Sequence, residues 1–134
     1  MKEKTLISHN FCPRYHHAVE LIGRRWTGAI LREIYAGTHR FSDIAASVPG
    51  LSDRLLSERL KELEVEGIVT RTVYPDTPVR IEYCLTEMGH DLGRVMDEIA
   101  TWASRWLEDV PQEPCDSLKE HDALEAAPVG VAHR

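Results

Sequence analysis

Between His39 and Leu85 the hydrophobic period changes from helical to alternating, and that change constrains the fold more than any other feature of the chain. Ile44, Ala45 and Val48 make a short apolar helix face, with Ser42 placed to cap it. Pro49-Gly50 breaks the run. Ser52 caps a second predicted helix, in which Leu56, Leu60 and Leu63 point inward, and Gly67 ends it as a C′ glycine would. Val69, Arg71 and Val73 then alternate with Thr70 and Thr72, and after Tyr74-Pro75-Asp76-Thr77-Pro78 the alternation resumes at Ile81, Tyr83 and Leu85. Two strands joined by such a loop read as a hairpin. A short helix, a glycine turn, a longer helix and a hairpin in succession make a helix-turn-helix followed by a wing.

The flanks add helices. One is expected from Pro13 through Tyr15, Val19 and Ile22 to a stop at Gly23, and another from about Trp26 through Ala29, Ile30 and Ile34 to Gly37. Thr86 can cap a last long helix in which Leu92, Val95, Met96, Ile99, Trp102, Ala103 and Trp106 recur at spacings of three and four. The expected class is mainly α with a small antiparallel β wing (α+β), in a winged helix-turn-helix with extra terminal helices for dimerisation. With 134 residues there is room for one domain, placed at 1–110. Residues 111–134 are expected to form an acidic, disordered tail.

Charge needs a closer look, because a net −6 argues against nucleic acid. Residues 108–134 carry a net −5, so the body is nearly neutral and can hold a local basic surface. No apolar run approaches a membrane span, and MKEKTLISHN lacks the apolar core of a signal peptide, so a cytoplasmic location is expected. Cys12, Cys84 and Cys115 are widely separated and read as free thiols. The cysteine and histidine spacings suit no metal, and no cofactor is expected.

Individual residues carry a resemblance. Cys12-Pro13, Arg25-Trp26-Thr27, Ile30-Leu31, Arg40-Phe41, Leu60-Lys61-Glu62-Leu63-Glu64, Glu66-Gly67-Ile68-Val69, Arg71, Glu82-Tyr83, Leu85-Thr86 and Gly89 resemble the HxlR family, relatives of the MarR regulators, over roughly residues 11–107. The resemblance implies a bacterial or archaeal dimer that binds a palindromic DNA operator. One departure lies in the wing, where the family often has two prolines before a basic residue and this chain has Pro78, Val79 and Arg80.

The second helix of the predicted pair presents Arg54, Ser57 and Lys61 on one line. Such a helix lies in the major groove with its N-terminal end deepest, where an arginine can pair with guanine and a lysine can meet phosphate. Ser42 and Ser52 at the helix starts, and Arg71 and Arg80 on the wing, complete the expected DNA-facing set. The bland alternative makes these residues a solvated mixed-charge helix and cross-strand pairs, with Arg71 and Arg80 each able to reach Glu82. Trp102 and Trp106 suit a two-fold interface between first and last helices, or else packing inside the monomer.

Cys12 precedes Pro13, a residue favoured at the first helical position. A thiol at a helix N-terminus is expected to gain thiolate character, and in a subset of the HxlR family a cysteine here senses oxidants or electrophiles. The alternative signal is a small apolar or aromatic effector held by Tyr15, Trp26, Trp102 and Trp106, and the alternative for Cys12 is an inert cap. A thiol-dependent enzyme is a reading from another class. No Ser-His-Asp set or glycine-rich phosphate loop accompanies Cys12, so no enzyme is expected.

Overall fold

The computed structural model describes residues 10–108 and 110. The expected tail at 111–134, with Cys115, lies outside them. Five helices and two strands follow in order: α1 Pro13–Ile22, α2 Thr27–Tyr35, α3 Phe41–Ser47, α4 Asp53–Val65, β1 Val69–Tyr74, β2 Arg80–Leu85 and α5 Glu87–Trp106. This is an α+β winged helix-turn-helix.

The core forms where the helical stripes converge. Ile30, Leu31 and Ile34 of α2, Ile44 of α3, and Leu56, Leu60 and Leu63 of α4 are almost completely buried. Ile68 and Val69 seal them from the wing side. Each large apolar side chain so buried contributes about 1.5–3 kcal/mol, and this layer fixes the angle between α3 and α4.

The ends of α4 match expectation. The Ser52 hydroxyl accepts a hydrogen bond from the Leu55 amide at 3.1 Å. At the other end Gly67 takes φ +84°, the Ile68 amide donates to the Leu63 carbonyl at 2.9 Å, and the Gly67 amide donates to Glu64 at 3.0 Å. That pair of bonds is a Schellman cap, and it turns the chain directly into β1.

The start of α3 differs from expectation. Arg40, not Ser42, is the N-cap, and Ser42 sits exposed in the first turn. The reason is tertiary. The Tyr83 amide donates to the His39 carbonyl at 2.8 Å, and Arg40 forms a β-bridge with Glu82. Pairing with β2 keeps residues 39 and 40 extended, so the helix begins at once at Phe41.

β1 and β2 pair antiparallel, from Val69 opposite Leu85 to Tyr74 opposite Arg80. The Thr86 hydroxyl accepts from the Gly89 amide at 3.1 Å and starts α5. A Cβ on Gly89 would strike the Ile68 carbonyl, and one on Gly93 would strike the Tyr35 ring. The bare backbone at these two positions is what lets α5 lie against α2 and the turn at Ile68 that leads into β1.

The apolar stripe expected on α5 divides into two faces. Gly89, Gly93 and Met96 are buried and Leu92 is half-buried. Val95, Ile99, Trp102 and Trp106 are 47–65% exposed. The reading in which the two tryptophans pack inside the monomer is therefore incorrect, because α2 occupies only one side of α5. Every residue from Phe11 to Glu20 is likewise exposed, with Leu21 the buried anchor of α1. No helix among the described residues is long and apolar enough to cross a membrane.

Candidate nucleic-acid interface

Burial of Leu56, Leu60 and Leu63 turns the opposite side of α4 to solvent. Arg54, on this outward side, has 87% of its side chain open, and its Nε lies 3.7 Å from Glu58. An exposed i,i+4 pair at that distance contributes only a few tenths of a kcal/mol, so the guanidinium can leave it for another partner. Ser57 and Lys61 are exposed one and two turns further along, without an ion pair among the described residues. Ser52 and Ser42 stand exposed at the starts of α4 and α3. The structure thus puts all five expected helix residues at the surface, with Ser52 spending its hydroxyl on the cap.

The wing arginines differ sharply. Arg80 donates from Nε to Asp76 at 3.2 Å and from Nη1 to Glu82 at 2.7 Å, and its guanidinium lies 4.1 Å over the Tyr74 ring. Partial desolvation lowers its pKa, but the hydrogen bonds and charges of Asp76 and Glu82 outweigh this and raise it above the ordinary arginine value. The pairing of Arg80 with Glu82 considered from the sequence is present, but it runs along β2 and does not cross to β1, because Arg80 stands opposite Tyr74 and Glu82 opposite Thr72. Arg71, opposite Tyr83, is exposed and makes no ion pair among the described residues. It is the wing cation able to meet a phosphate without first breaking a bond.

Cys12 is the N-cap of α1 and is exposed. Its Sγ accepts a hydrogen bond from the Tyr15 amide at 3.4 Å. Pro13 follows at the first helical position, so the sulfur stands in for a hydroxyl cap. Cys84 is also exposed, on β2 opposite Thr70.

The expected effector residues differ in exposure. Trp26 is half-buried against the core, whereas Tyr15, Trp102 and Trp106 are 57–70% exposed. A recess of about 750 Å³ does exist, but it lies between the α2–α3 turn, α3 and Glu82, and none of the four aromatics lines it. Among the described residues no three His, Cys, Asp or Glu side chains converge to hold a metal ion.

Sequence reasoning missed a polar cluster on a flank of α4, between the Arg54 line and the buried leucines. His17 Nε2 donates to Glu66 at 3.1 Å, Arg24 meets Glu62 at 3.2 Å, and Arg59 donates from Nε to the Arg25 carbonyl at 2.9 Å. The i, i+3, i+7 spacing of Arg59, Glu62 and Glu66 was visible, but their partners lie 34 to 49 residues away.

Comparison with known proteins agrees with this architecture. Residues 21–111 match the HxlR-like helix-turn-helix family. Two Bacillus subtilis (strain 168) relatives are similar. The uncharacterized HTH-type transcriptional regulator YvaP is 50% identical over 97 residues, covering 72% of this chain and 90% of YvaP. The HTH-type transcriptional regulator YodB is 41% identical over 116 residues, covering 87% of this chain and 99% of YodB. Reduced YodB superposes with a TM-score of 0.64 at 42% identity, over 74% of this chain and 97% of that one. The redox regulator HypR in its reduced form gives 0.65 at 30% identity, over 72% and 97%. YodB has also been solved diamide-treated and quinone-bound, and HypR oxidised. These relatives are regulators, not enzymes, and on the strength of the match across its winged helix-turn-helix the chain belongs to the HxlR-like helix-turn-helix family of transcriptional regulators.

Proposed function

We propose that the protein binds a palindromic double-stranded DNA operator as a homodimer, with α4 in the major groove and the wing on the backbone, and that chemical modification of Cys12 sets its affinity. The observation that carries the first part is the outward face of α4, where Arg54, Ser57 and Lys61 stand exposed on one line, together with Arg71 on the wing, exposed and without an ion pair among the described residues. A guanidinium at that depth can address guanine O6 and N7, and Lys61 and Arg71 can neutralise phosphate. The exposed Val95, Ile99, Trp102 and Trp106, with Tyr15 and Val19 of α1, supply the apolar surface for a second copy. A regulator of this kind would work on chromosomal DNA in the cytoplasm.

The second part rests on the exposed Cys12 sulfur and on the redox and quinone-bound forms of YodB. An electrophilic quinone would form an S–C bond at Cys12, with the thiol proton passing to the reduced ring oxygen. An oxidant such as diamide would couple two thiols and itself take up two electrons and two protons. The competing effector-pocket reading finds less support, because Tyr15, Trp102 and Trp106 are largely exposed and none of the four aromatics lines the recess beside α3.

The test uses a duplex selected by the full-length protein from a random-sequence library. Wild type should release it on treatment with a benzoquinone or diamide, whereas Cys12→Ser should hold it and Cys84→Ser should respond like wild type. Failure to select any duplex removes the DNA-binding reading. Equal release from wild type and Cys12→Ser moves the switch to another residue.

A further inference from the structure

The proposed sensor helix α1 is attached to its own subunit in an unusual way. Its residues 13–20 are all exposed, and Leu21 and half-buried Ile22 are its apolar anchors. Three polar contacts then tie α1 and the Gly23–Trp26 linker to the body, two landing on α4 and one on its C-cap, Glu66. His17 of α1 reaches Glu66, Arg24 of the linker reaches Glu62, and the linker carbonyl of Arg25 accepts from Arg59. Arg59 also donates to Glu62 at 3.1 Å, which joins the last two contacts, and the Glu66 amide donates to the Glu62 carbonyl at 3.0 Å, which places the first contact one turn away on the same backbone.

The linker itself is conformationally constrained. Trp26 adopts φ +76° as the N-cap of α2, with Arg25 over its ring at 5.1 Å. A bulky residue pays about 1–3 kcal/mol to stay in this region, so the surrounding contacts must hold it there. Arg59, only 17% exposed, does so by fixing the carbonyl just before it.

α4 therefore carries two polar stripes. Arg54, Ser57 and Lys61 face outward, and Arg59, Glu62 and Glu66 face α1 and its linker. Both stripes run at i, i+3 and i+7, and a rigid helix backbone joins them.

We infer that Arg59, Glu62 and Glu66 form a relay that couples the position of α1 to the position of the recognition helix. These are positioning residues and touch neither DNA nor the signal. This inference rests on the proposal that α4 binds DNA, but not on Cys12 being the switch. Coupling between sites is reciprocal. If a shift of α1 alters DNA affinity, then DNA on α4 must restrain α1 and its linker.

Hydrogen exchange on the full-length protein, with and without the selected duplex, reads this directly. The duplex should slow exchange of amides in both α4 and residues 14–26 of wild type, the latter by at least about fivefold, the lower end of ordinary coupling. In the double variant His17→Ala/Arg24→Ala the slowing at residues 14–26 should be lost while that in α4 remains. Glu66→Gln should reduce it in the same sense. The two variants change net charge in opposite directions, so a shared loss is not long-range electrostatics. All three sites are solvent-accessible, which protects the fold. Unchanged exchange at residues 14–26 in wild type, or wild-type slowing in both variants, overturns the relay. Absence of protection in α4 itself overturns the DNA-binding reading and the relay with it.

Discussion

Trp106 gives the most direct measure of whether two copies meet along α5. It is 65% exposed in the single chain, in line with Trp102 at 57%, Ile99 at 47% and Val95 at 48%. An indole side chain presents up to about 250 Å², so about 160 Å² of Trp106 is open to water. Burying all of it would stabilise a dimer by about 4 kcal/mol per copy at about 25 cal/mol per Å². If the interface covers only half, Trp106→Ala removes about 2 kcal/mol from each protomer and about 4 kcal/mol from the dimer, a roughly thousandfold rise in its dissociation constant. Sedimentation equilibrium across nanomolar to micromolar concentrations measures that constant. Val73→Ala, at an exposed apolar position on the wing, serves as the control and should leave it unchanged. Operator affinity should fall together with dimerisation, because two recognition helices must be held about 34–36 Å apart to meet successive half-sites. A wild-type monomer at micromolar concentration, or a Trp106→Ala dimer as tight as wild type, refutes the reasoning.

Arg54→Ala should cost about 1–3 kcal/mol on the selected duplex and relax base preference at one position, while leaving the melting temperature unchanged; fluorescence anisotropy against single-base variants reads both. Arg71→Ala should weaken binding more evenly across sequences and reduce the salt slope by about one, as expected for a lost phosphate contact. Arg80→Ala should do less than Arg71→Ala at the duplex, since Asp76 and Glu82 hold Arg80, and the reverse ranking would show that the wing rearranges on DNA. Gly89→Ala should destabilise by about 1–3 kcal/mol in urea unfolding, because the added methyl meets the backbone carbonyl of Ile68, which the Thr86 amide holds at 3.0 Å.

Local chemistry was enough for much of this protein. Ser52, Gly67 and Thr86 mark the ends of α4 and the start of α5 because caps and left-handed turns depend on single residues and their immediate neighbours. The wing follows from period-two alternation, and the outward line of Arg54, Ser57 and Lys61 on α4 from the spacing of the leucines behind it. What the sequence left open depends on contacts between distant segments. Ser42 has the chemistry of a cap, but pairing of His39 and Arg40 with β2 starts α3 earlier. Arg71 and Arg80 read alike along the chain, and only the strand register seats Arg80 between Asp76 and Glu82 while leaving Arg71 open. The long stripe on α5 is apolar throughout, and the placement of α2 decides that Met96 is core while Trp102 and Trp106 face outward. The ties from His17, Arg24 and Arg25 to α4 had no local signal, because a charged side chain on a helix surface carries no mark of a partner many residues away. Periodicity and capping report the state of a segment. Which surface another segment then covers is settled only when the whole core closes.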